Sequence, residues 1–314
     1  MPYTFRLNPF AVALAVLVVL AAPLAARAGA IRHDRDDAQY RDLAAGYPSV
    51  GRLNTGSALC SGTLIGVNWV LTAAHCVDDR EPSQVNFVVG GQSYKADTIV
   101  VEPTWTGEGG ETAGNDLALV RLGDPVVNIV PAAIYDGADV LGRTGTSVGF
   151  GRGGTGLTGS TWSAGTKRAG QNVIDRSGRQ VSFAWSRRLM VCDFDNPDDP
   201  GDSRFGSNQP IDLEYCIAGG DSGGGLFADI GGVDKLVGVH SFISWTDGEG
   251  DSDYGDLFSA VRLSYFTDWI ESQLTAAGND THWQAAQGDW SDPAFWSAGV
   301  PGSESIALFE NGRM

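Results

Sequence analysis

Short apolar runs, separated by polar stretches rich in glycine, follow one another along most of the chain. Such runs cover residues 60–66 and 69–74, and Asp116 begins a third in which apolar and other positions alternate. With 43 glycines among 314 residues and few long helical patterns, the chain is predicted to form short strands joined by many turns. Its length suffices for one large domain or two smaller ones.

The first 30 residues have a different pattern. Arg6 precedes an apolar run over residues 10–20, and two A-x-A cleavage signals follow, at Ala26–Ala28 and Ala28–Ala30. The run is too short to span a bilayer and is typical of a secretory signal, so residues 1–30 are predicted to be a signal peptide. A retained membrane anchor is the alternative. Since no later run has membrane-spanning length, the mature chain is expected to be secreted, periplasmic or at the cell surface.

Charge and cysteine content narrow the class of protein. The formal net charge is −17, and nucleic-acid phosphates would repel so acidic a surface. We therefore expect a soluble exported protein that binds no nucleic acid. Four cysteines in an exported chain suggest two disulfides, for which three pairings are possible.

Glycines surround a single serine at residues 219–225, whose sequence is GGDSGGG. Glycine lets another chain or a ligand approach closely, so Ser222 is predicted to be accessible to such a group rather than packed in the core. A flexible glycine loop is the simplest interpretation, and the segment also fits the G-x-S-x-G nucleophile elbow of α/β-hydrolases. A nucleophilic serine needs a base, and the base needs an acid to orient it.

His75 and Asp116 are the candidates for these two roles. His75 follows an apolar strand-like run and has small neighbours, which leave its imidazole room to face a cleft. Asp116 stands at the start of a strand, where a carboxylate can be buried beside an imidazole and stabilise the imidazolium. Taken singly, such a histidine is more often a surface or core residue, and such an aspartate is more often a turn residue.

In combination, the segments TAAHC, NDLALV and GGDSGG, at residues 72–76, 115–120 and 219–224, resemble the chymotrypsin/trypsin-like serine protease family. The resemblance covers residues 31–275, and its further elements are Gly149–Gly151, Gly238–Phe242 and the amphipathic stretch Tyr265–Leu274. An α/β-hydrolase esterase requires the order Ser, acid, His, whereas His75 and Asp116 both precede Ser222. The protease family is therefore favoured over the elbow.

The resemblance implies an all-β fold of two six-stranded antiparallel Greek-key barrels with a carboxy-terminal helix. The protease domain would cover residues 31–275, with the cleft between the barrels and the switch between them near residues 126–134. Residues 276–314 would form a linker and a tail that looks like the start of a repeat of bacterial exported proteins. One such repeat cannot bury its own apolar face, so the tail is either vestigial or the front part of a longer protein.

The resemblance also implies the chemistry of the site. Ser222 would attack the scissile carbonyl while His75 takes its proton and Asp116 orients His75. The backbone amides of Gly220 and Ser222 would bind the oxyanion. The predicted function is that of a secreted, monomeric serine endopeptidase that acts on proteins or peptides through an acyl-enzyme intermediate.

Substrate binding and activation are assigned by the same resemblance. Ser241 would hydrogen-bond the aspartate of the triad, and the segment Ser241, Phe242 and Ile243 would pair with the substrate backbone. Asp221 would pair with a new N-terminal ammonium at Ile31. Because Ala30 closes one of the cleavage signals, export itself would then activate the enzyme.

Two disulfides are expected within the resembling region. Cys60–Cys76 would join two strands beside the candidate base, and Cys192–Cys216 would close a loop over the acidic segment 193–215. Cys216 stands roughly where a trypsin-like enzyme has an aspartate at the base of its pocket. A branched Ile243 at the pocket mouth favours a small apolar P1 residue, whereas Asp256 could line the pocket and reverse that preference.

Two acidic clusters, within residues 193–202 and 247–253, invite a calcium hypothesis, because hard cations take oxygen ligands. Neither matches the EF-hand pattern, and solvated acidic loops are the commoner explanation, so no metal and no cofactor are predicted. The alternative function is that of a catalytically inactive, protease-shaped binding protein anchored by its tail. Its hallmark, a replaced catalytic residue, is not present in the sequence.

Overall fold

The computed structural model describes residues 29–56, 58–107, 109–276, 281–283 and 307–309. Within these ranges the strands are β1 (Gly29–Ile31), β2 (Val50–Thr55), β3 (Ala58–Gly66), β4 (Trp69–Thr72), β5 (Val85–Val89), β6 (Gln92–Val101), β7 (Ala118–Leu122), β8 (Thr144–Gly149), β9 (Gly153–Thr155), β10 (Arg168–Val173), β11 (Arg176–Ser177), β12 (Leu189–Asp193), β13 (Tyr215–Cys216), β14 (Gly225–Asp229), β15 (Asp234–Ser244), β16 (Leu257–Arg262), β17 (Thr281–Trp283) and β18 (Ala307–Phe309). The α-helices are α1 (Asp37–Ala44), α2 (Gly178–Val181) and α3 (Thr267–Ala276), and single 3-10 turns cover Ala74–Cys76, Pro82–Gln84, Glu111–Ala113 and Leu263–Tyr265.

The first half of the fold is a closed antiparallel barrel with the strand order β2-β3-β4-β7-β6-β5. Strand β5 shows why these residues form a sheet: Val85, Phe87 and Val89 are buried, and the residues between them are less so. Strand β4 is buried along its whole length. The six-stranded barrel predicted for this half is confirmed.

The second half is a seven-stranded antiparallel sheet with the order β10-β8-β14-β15-β16-β12-β11. It curves as a half-barrel and, among the described strands, does not close, because its last strand, β11, has two residues and pairs only with β12. The expected second barrel is therefore present in an open form. Helix α3 follows β16 and a 3-10 turn, in agreement with the predicted carboxy-terminal helix.

Strand β1 lies between two strands that come much later in the chain. Ala30 pairs with Cys216 in antiparallel β13, and Gly29 pairs with Gly153 in parallel β9. Gly29 and Ala30, which the sequence analysis assigns to the signal peptide, are thus part of a strand. The remainder of the predicted signal peptide, residues 1–28, lies outside the described residues.

The two halves meet at a seam that the residues around Ser222 help to form. The amide of Ser61 on β3 donates to the carbonyl oxygen of Ser222 at 2.8 Å, and the Ser61 hydroxyl donates to the carbonyl oxygen of Gly220 at 3.0 Å. Gly223 has a φ of +80°, and a Cβ there would lie 2.1 Å from the hydroxyl oxygen of Thr72. Only glycine fits a backbone that approaches the first barrel so closely.

The carboxy-terminal tail is described at two places. Strands β17 and β18 pair in parallel, and the rest of the predicted tail lies outside the described residues. No helix in the described part of the chain is long and apolar enough to cross a membrane.

Candidate active site

His75 and Asp116 are held against each other by two hydrogen bonds. His75 lies in the 3-10 turn that follows β4, and Asp116 stands two residues before β7, the strand that pairs with β4. The backbone amide of His75 donates to Asp116 Oδ1 at 2.9 Å, and Nδ1 of its ring lies 2.7 Å from Oδ2. A carboxylate oxygen accepts hydrogen bonds, so the contact with Asp116 places the ring proton of His75 on Nδ1. Nε2 is then free to accept a proton.

Ser241 completes the surroundings of Asp116 from the second half of the fold. Strand β15 pairs with β16 through His240 and Phe242, and the register shifts between these two residues. A bulge of this kind re-aims a side chain. The hydroxyl of Ser241 donates to Asp116 Oδ2 at 2.6 Å, so a contact across the seam holds the acid in place.

Acidic neighbours determine the protonation of His75. Burial lowers the pKa of His75, but the hydrogen bond and charge of Asp116 raise it, with smaller contributions from Glu111 and Asp78, and the net result lies above the ordinary 6.5. His240, by contrast, is completely buried, and the lost hydration lowers its pKa to about 3. His75 is therefore the histidine of this region that can exchange protons near neutral pH.

Ser222 is half-buried in the loop between β13 and β14. Its hydroxyl forms no hydrogen bond to another described residue, while its carbonyl oxygen lies 3.8 Å from Sγ of Cys76, the neighbour of His75. The amides of Gly220 and Ser222 likewise have no acceptor among the described residues. Gly220 has a φ of +100°, and a Cβ there would lie 2.9 Å from the Cα of Gly151. The loop thus offers a hydroxyl and two amide donors.

Asp221 points the opposite way from Ser222, into the interior. Its Oδ1 accepts the amide of Gly151 at 2.7 Å, and its Oδ2 accepts the amide of Ala218 at 2.9 Å and the hydroxyl of Tyr215 at 3.1 Å. Complete burial raises the pKa of Asp221 to about 6, although these bonds oppose the shift. The carboxylate therefore anchors the loop that carries Ser222.

The expected ion pair between Ile31 and Asp221 requires a free ammonium at Ile31, which the uncleaved chain does not have, so this pair stays a prediction. Ile31 lies inside β1, where it pairs with Tyr215 and Thr155 and is almost completely buried. A Cβ on Gly29, at the start of β1, would lie 1.9 Å from the hydroxyl oxygen of Tyr215, which hydrogen-bonds Asp221.

The Cys60–Cys76 disulfide is present and joins β3 to the turn that carries His75. The prediction of a Cys192–Cys216 disulfide is wrong for this structure, in which both residues are free and buried. Cys192 lies on β12 of the large sheet and Cys216 on β13 of the small one, and both belong to the same hydrophobic core cluster. Burial raises the pKa of both thiols, which keeps them protonated.

A cavity of about 390 Å³ opens beside His75. Its lining comprises His75, Asp78, Asp79, Arg80, Glu111, Ser241 and Phe242. Phe242, the second residue of the predicted substrate-binding segment, packs edge-on against Trp185 at 5.1 Å between ring centroids. Ile243 is half-buried and pairs with Phe258 rather than lining this cavity. The cleft is therefore acidic on one side and aromatic on the other.

Several residues that support the site are not predicted from the sequence. Ser61 holds the Ser222 loop and also accepts the amide of Phe150 at 2.9 Å, although its position beside Cys60 in a buried strand could have drawn attention to it. Tyr215 and Glu111 were missed as well, because nothing in their local sequence indicates which acid or base they approach.

Comparisons with solved structures agree with this fold. Among solved structures, mouse neuropsin, a serine protease expressed in the limbic system, has a TM-score of 0.56 at 20% identity and covers 73% of this chain and 95% of its own. An inactivated protease paralogue of the scabies mite has a TM-score of 0.55 at 17% identity, covering 74% and 94%. The chain thus has the two-barrel fold of the chymotrypsin/trypsin-like serine proteases.

Sequence comparison gives the family. The family model described as Trypsin matches residues 39–270. A chymotrypsin-like elastase family member 1 from Macaca fascicularis is 30% identical over 243 residues, which cover 69% of this chain and 79% of that protein. A trypsin from Simulium vittatum is 37% identical over 87 residues, covering 26% and 34%. The chain belongs to the trypsin family.

Proposed function

We propose that this chain is an exported serine endopeptidase in which Ser222, His75 and Asp116 form the catalytic triad. The observation that carries the proposal is the pair of hydrogen bonds that fixes the proton of His75 on the Asp116 side. With Nδ1 occupied, Nε2 can take the proton of the Ser222 hydroxyl as that oxygen attacks a peptide carbonyl. The unengaged amides of Gly220 and Ser222 supply the donors that the resulting oxyanion requires.

The second half of the cycle uses the same groups in reverse. The proton held on His75 passes to the leaving amine, and an acyl group remains on the oxygen of Ser222. A water then attacks this ester, giving its proton to His75, and the carboxylic acid leaves as Ser222 recovers its hydrogen. Asp116 keeps its charge throughout and stabilises the imidazolium.

Replacement of the nucleophile tests this proposal. Ser222→Ala is expected to lower turnover of peptide substrates about 10⁶-fold while the protein still folds, and to abolish labelling by a fluorophosphonate probe. Ser272→Ala, on the exposed face of α3, is the matched control and should label like the wild type. A catalytically inactive binding protein would remain unlabelled even as the wild type, and this result would overturn the proposal.

For specificity, we propose a small apolar residue at P1. The branched Ile243 in the substrate-binding segment supports this, as does similarity to a protein that is named a chymotrypsin-like elastase family member. A peptide-library profile of the purified enzyme should then be dominated by small aliphatic residues at P1. A profile dominated by Arg or Lys would contradict the proposal.

We further propose that export cleavage follows Ala28 instead of Ala30. Cleavage after Ala28 uses the earlier A-x-A signal and leaves β1 intact, whereas cleavage after Ala30 would remove two of its three residues. The new ammonium at Gly29 would lie beside Tyr215, which hydrogen-bonds Asp221. N-terminal sequencing of the active secreted protein should give Gly29 first. A start at Ile31 would contradict this assignment.

A further inference from the structure

The hairpin loop of residues 245–256 links β15 to β16 and adjoins the predicted substrate-binding segment. Its base is closed where Ser244 pairs with Leu257, directly after Ile243. Any group that stabilises this loop therefore stabilises the strand proposed to pair with substrate. Neither the triad nor the cavity beside His75 uses the loop's side chains.

Three carboxylates converge within this loop. One oxygen from each of Asp247, Asp253 and Asp256 lies within 4.8 Å of the other two. Calcium takes carboxylate oxygens at about 2.3–2.6 Å, so two ligands of one ion can lie up to about 5 Å apart. A single ion can thus contact all three residues, which are exposed, half-buried and buried in that order.

The charge of this cluster is not balanced by protein cations. Within the described ranges, no lysine, arginine or histidine forms an ion pair with these three residues. Arg204, the nearby guanidinium, donates to the hydroxyl of Thr246 and to the carbonyl of Gly255 instead. The folded loop therefore brings negative charges together and leaves them without a counter-ion.

An unsatisfied oxygen points independently to a ligand. Asp256 is fully buried, and its Oδ2 accepts the amide of Ser252 at 3.0 Å, but its Oδ1 has no hydrogen-bond partner in the described part of the chain. The hydroxyl of the fully buried Ser252 has none either. Buried polar atoms nearly always have a partner, and each exception calls for an explanation such as an ion. Asp256 belongs to the convergent carboxylates, so a cation bound among them would lie beside a carboxylate that has an unpartnered oxygen.

We propose that Asp247, Asp253 and Asp256 hold a divalent cation, Ca²⁺, that braces the hairpin beside the substrate-binding strand. The donor set is made of hard carboxylate oxygens without sulfur or imidazole, which suits Ca²⁺. The ion would contribute no chemistry to peptide hydrolysis. The second group of potential ligands, Cys60, His75 and Cys76, is no such site, because its sulfurs form a disulfide.

Luminescence of Tb³⁺, a Ca²⁺ analogue, tests the site directly. The experiment uses the whole chain as Ser222→Ala, treated with EDTA, so that neither autolysis nor catalysis affects binding. Trp245 lies in the same loop, against Gly250, and can transfer excitation to a bound Tb³⁺. We expect tryptophan-excited Tb³⁺ emission that Ca²⁺ displaces, and a rise in Tm of about 5–10 °C at a Ca²⁺ concentration a hundredfold above its Kd.

Two variants and a matched control locate the ion. Asp247→Asn changes an exposed residue and leaves folding intact, and Asp253→Asn changes a half-buried one. Each should weaken Tb³⁺ binding at least tenfold, whereas Glu249→Gln, in the same loop but outside the cluster, should bind like the parent. The proposal is overturned if the parent gives neither emission nor a Tm shift, or if both aspartate variants bind unchanged. It is also overturned if benzamidine stabilises the protein, Ca²⁺ does not, and the effect of benzamidine is lost when Asp256 is replaced. Asp256 would then bind the cationic side chain of a substrate.

Discussion

At the scale of single residues, the pKa of His75 depends on charged side chains outside the proposed triad as well as on Asp116. Asp116 supplies the hydrogen bond, but Glu111 and Asp78 line the same cavity and add negative potential. Together with Asp116, they stabilise the imidazolium and hold the pKa of His75 above its usual value. Because the base must be neutral to accept the proton of Ser222, activity should rise with pH as His75 loses its proton.

Replacing Glu111 tests this electrostatic effect. Glu111→Gln removes one of the charges that raise the pKa of His75, so the acid limb of the kcat/KM profile should move to lower pH by a few tenths of a unit. High salt should reduce the difference between the two enzymes, since screening weakens exposed charges. Asp124→Asn, exposed and outside the cavity lining, is the control and should leave the profile in place. An acid limb that is unmoved in Glu111→Gln would refute the role assigned to this carboxylate.

At the scale of elements, a covalent link holds β3 and the turn of His75 together. The Cys60–Cys76 disulfide spans 16 positions, and a loop of this size contributes about 3 kcal/mol to the free energy of unfolding. The same strand, β3, carries Ser61, which binds the Ser222 loop. The bond therefore supports both sides of the candidate site.

Loss of this disulfide should be visible in thermal unfolding. Replacement of both Cys60 and Cys76 by alanine is expected to lower Tm by about 6–12 °C, because the unfolded chain regains the entropy that the link removed. The free cysteines provide a companion measurement: the unfolded wild type, without reductant, should react with two equivalents of a thiol reagent. A Tm within a degree or so of the wild type, or a chain without reactive thiols, would contradict this account.

At the scale of the whole molecule, several acidic residues have carboxyl groups whose pKa is raised by burial. Burial is the largest cause that raises the pKa of Asp175 and Glu214 to about 8 and that of Asp195 to about 6. A carboxyl group whose pKa is raised by folding favours its neutral form in the native state. Its contribution to stability is complete below about pH 4 and is lost as pH rises through 6–8.

The protein should therefore unfold more easily at pH 8 than at pH 5. Glu214 is almost completely buried, and the change in its pKa corresponds to a loss on the order of 4 kcal/mol over that range. Urea denaturation of Ser222→Ala in EDTA measures the difference without autolysis or bound cations. Glu214→Gln should make the pH dependence shallower, because the group no longer ionises. Equal or greater stability at pH 8 would show that these carboxyl groups do not determine how the free energy of unfolding changes with pH.

The features that could be predicted from the sequence are those that depend on residues close together along the chain. Ser222, His75 and Asp116 stand in short local patterns, so a linear reading finds them, and the disulfide beside His75 is found with them. Cys192 and Cys216 were predicted to be bonded because a count of cysteines does not show which thiols stay free in the core.

Contacts across the seam could not be predicted, because they join residues that are far apart along the chain. The hold of Ser61 on the Ser222 loop depends on the docking of two halves that no local pattern encodes. The convergence of Asp247, Asp253 and Asp256 depends on the hairpin closing beneath them. The acidic run was visible in the sequence, whereas the unsatisfied oxygen of Asp256 emerged only from the fold.

The position of β1 has a consequence for the order in which the chain can fold. Strands β2 to β7 form their barrel from residues 50–122, whereas β1 must wait for its partners at 153–155 and 215–216. Non-local pairings of this kind are slow, and the early part of a chain emerges first during synthesis. We therefore expect β1 to pair with β9 and β13 late in folding, after the first barrel has formed.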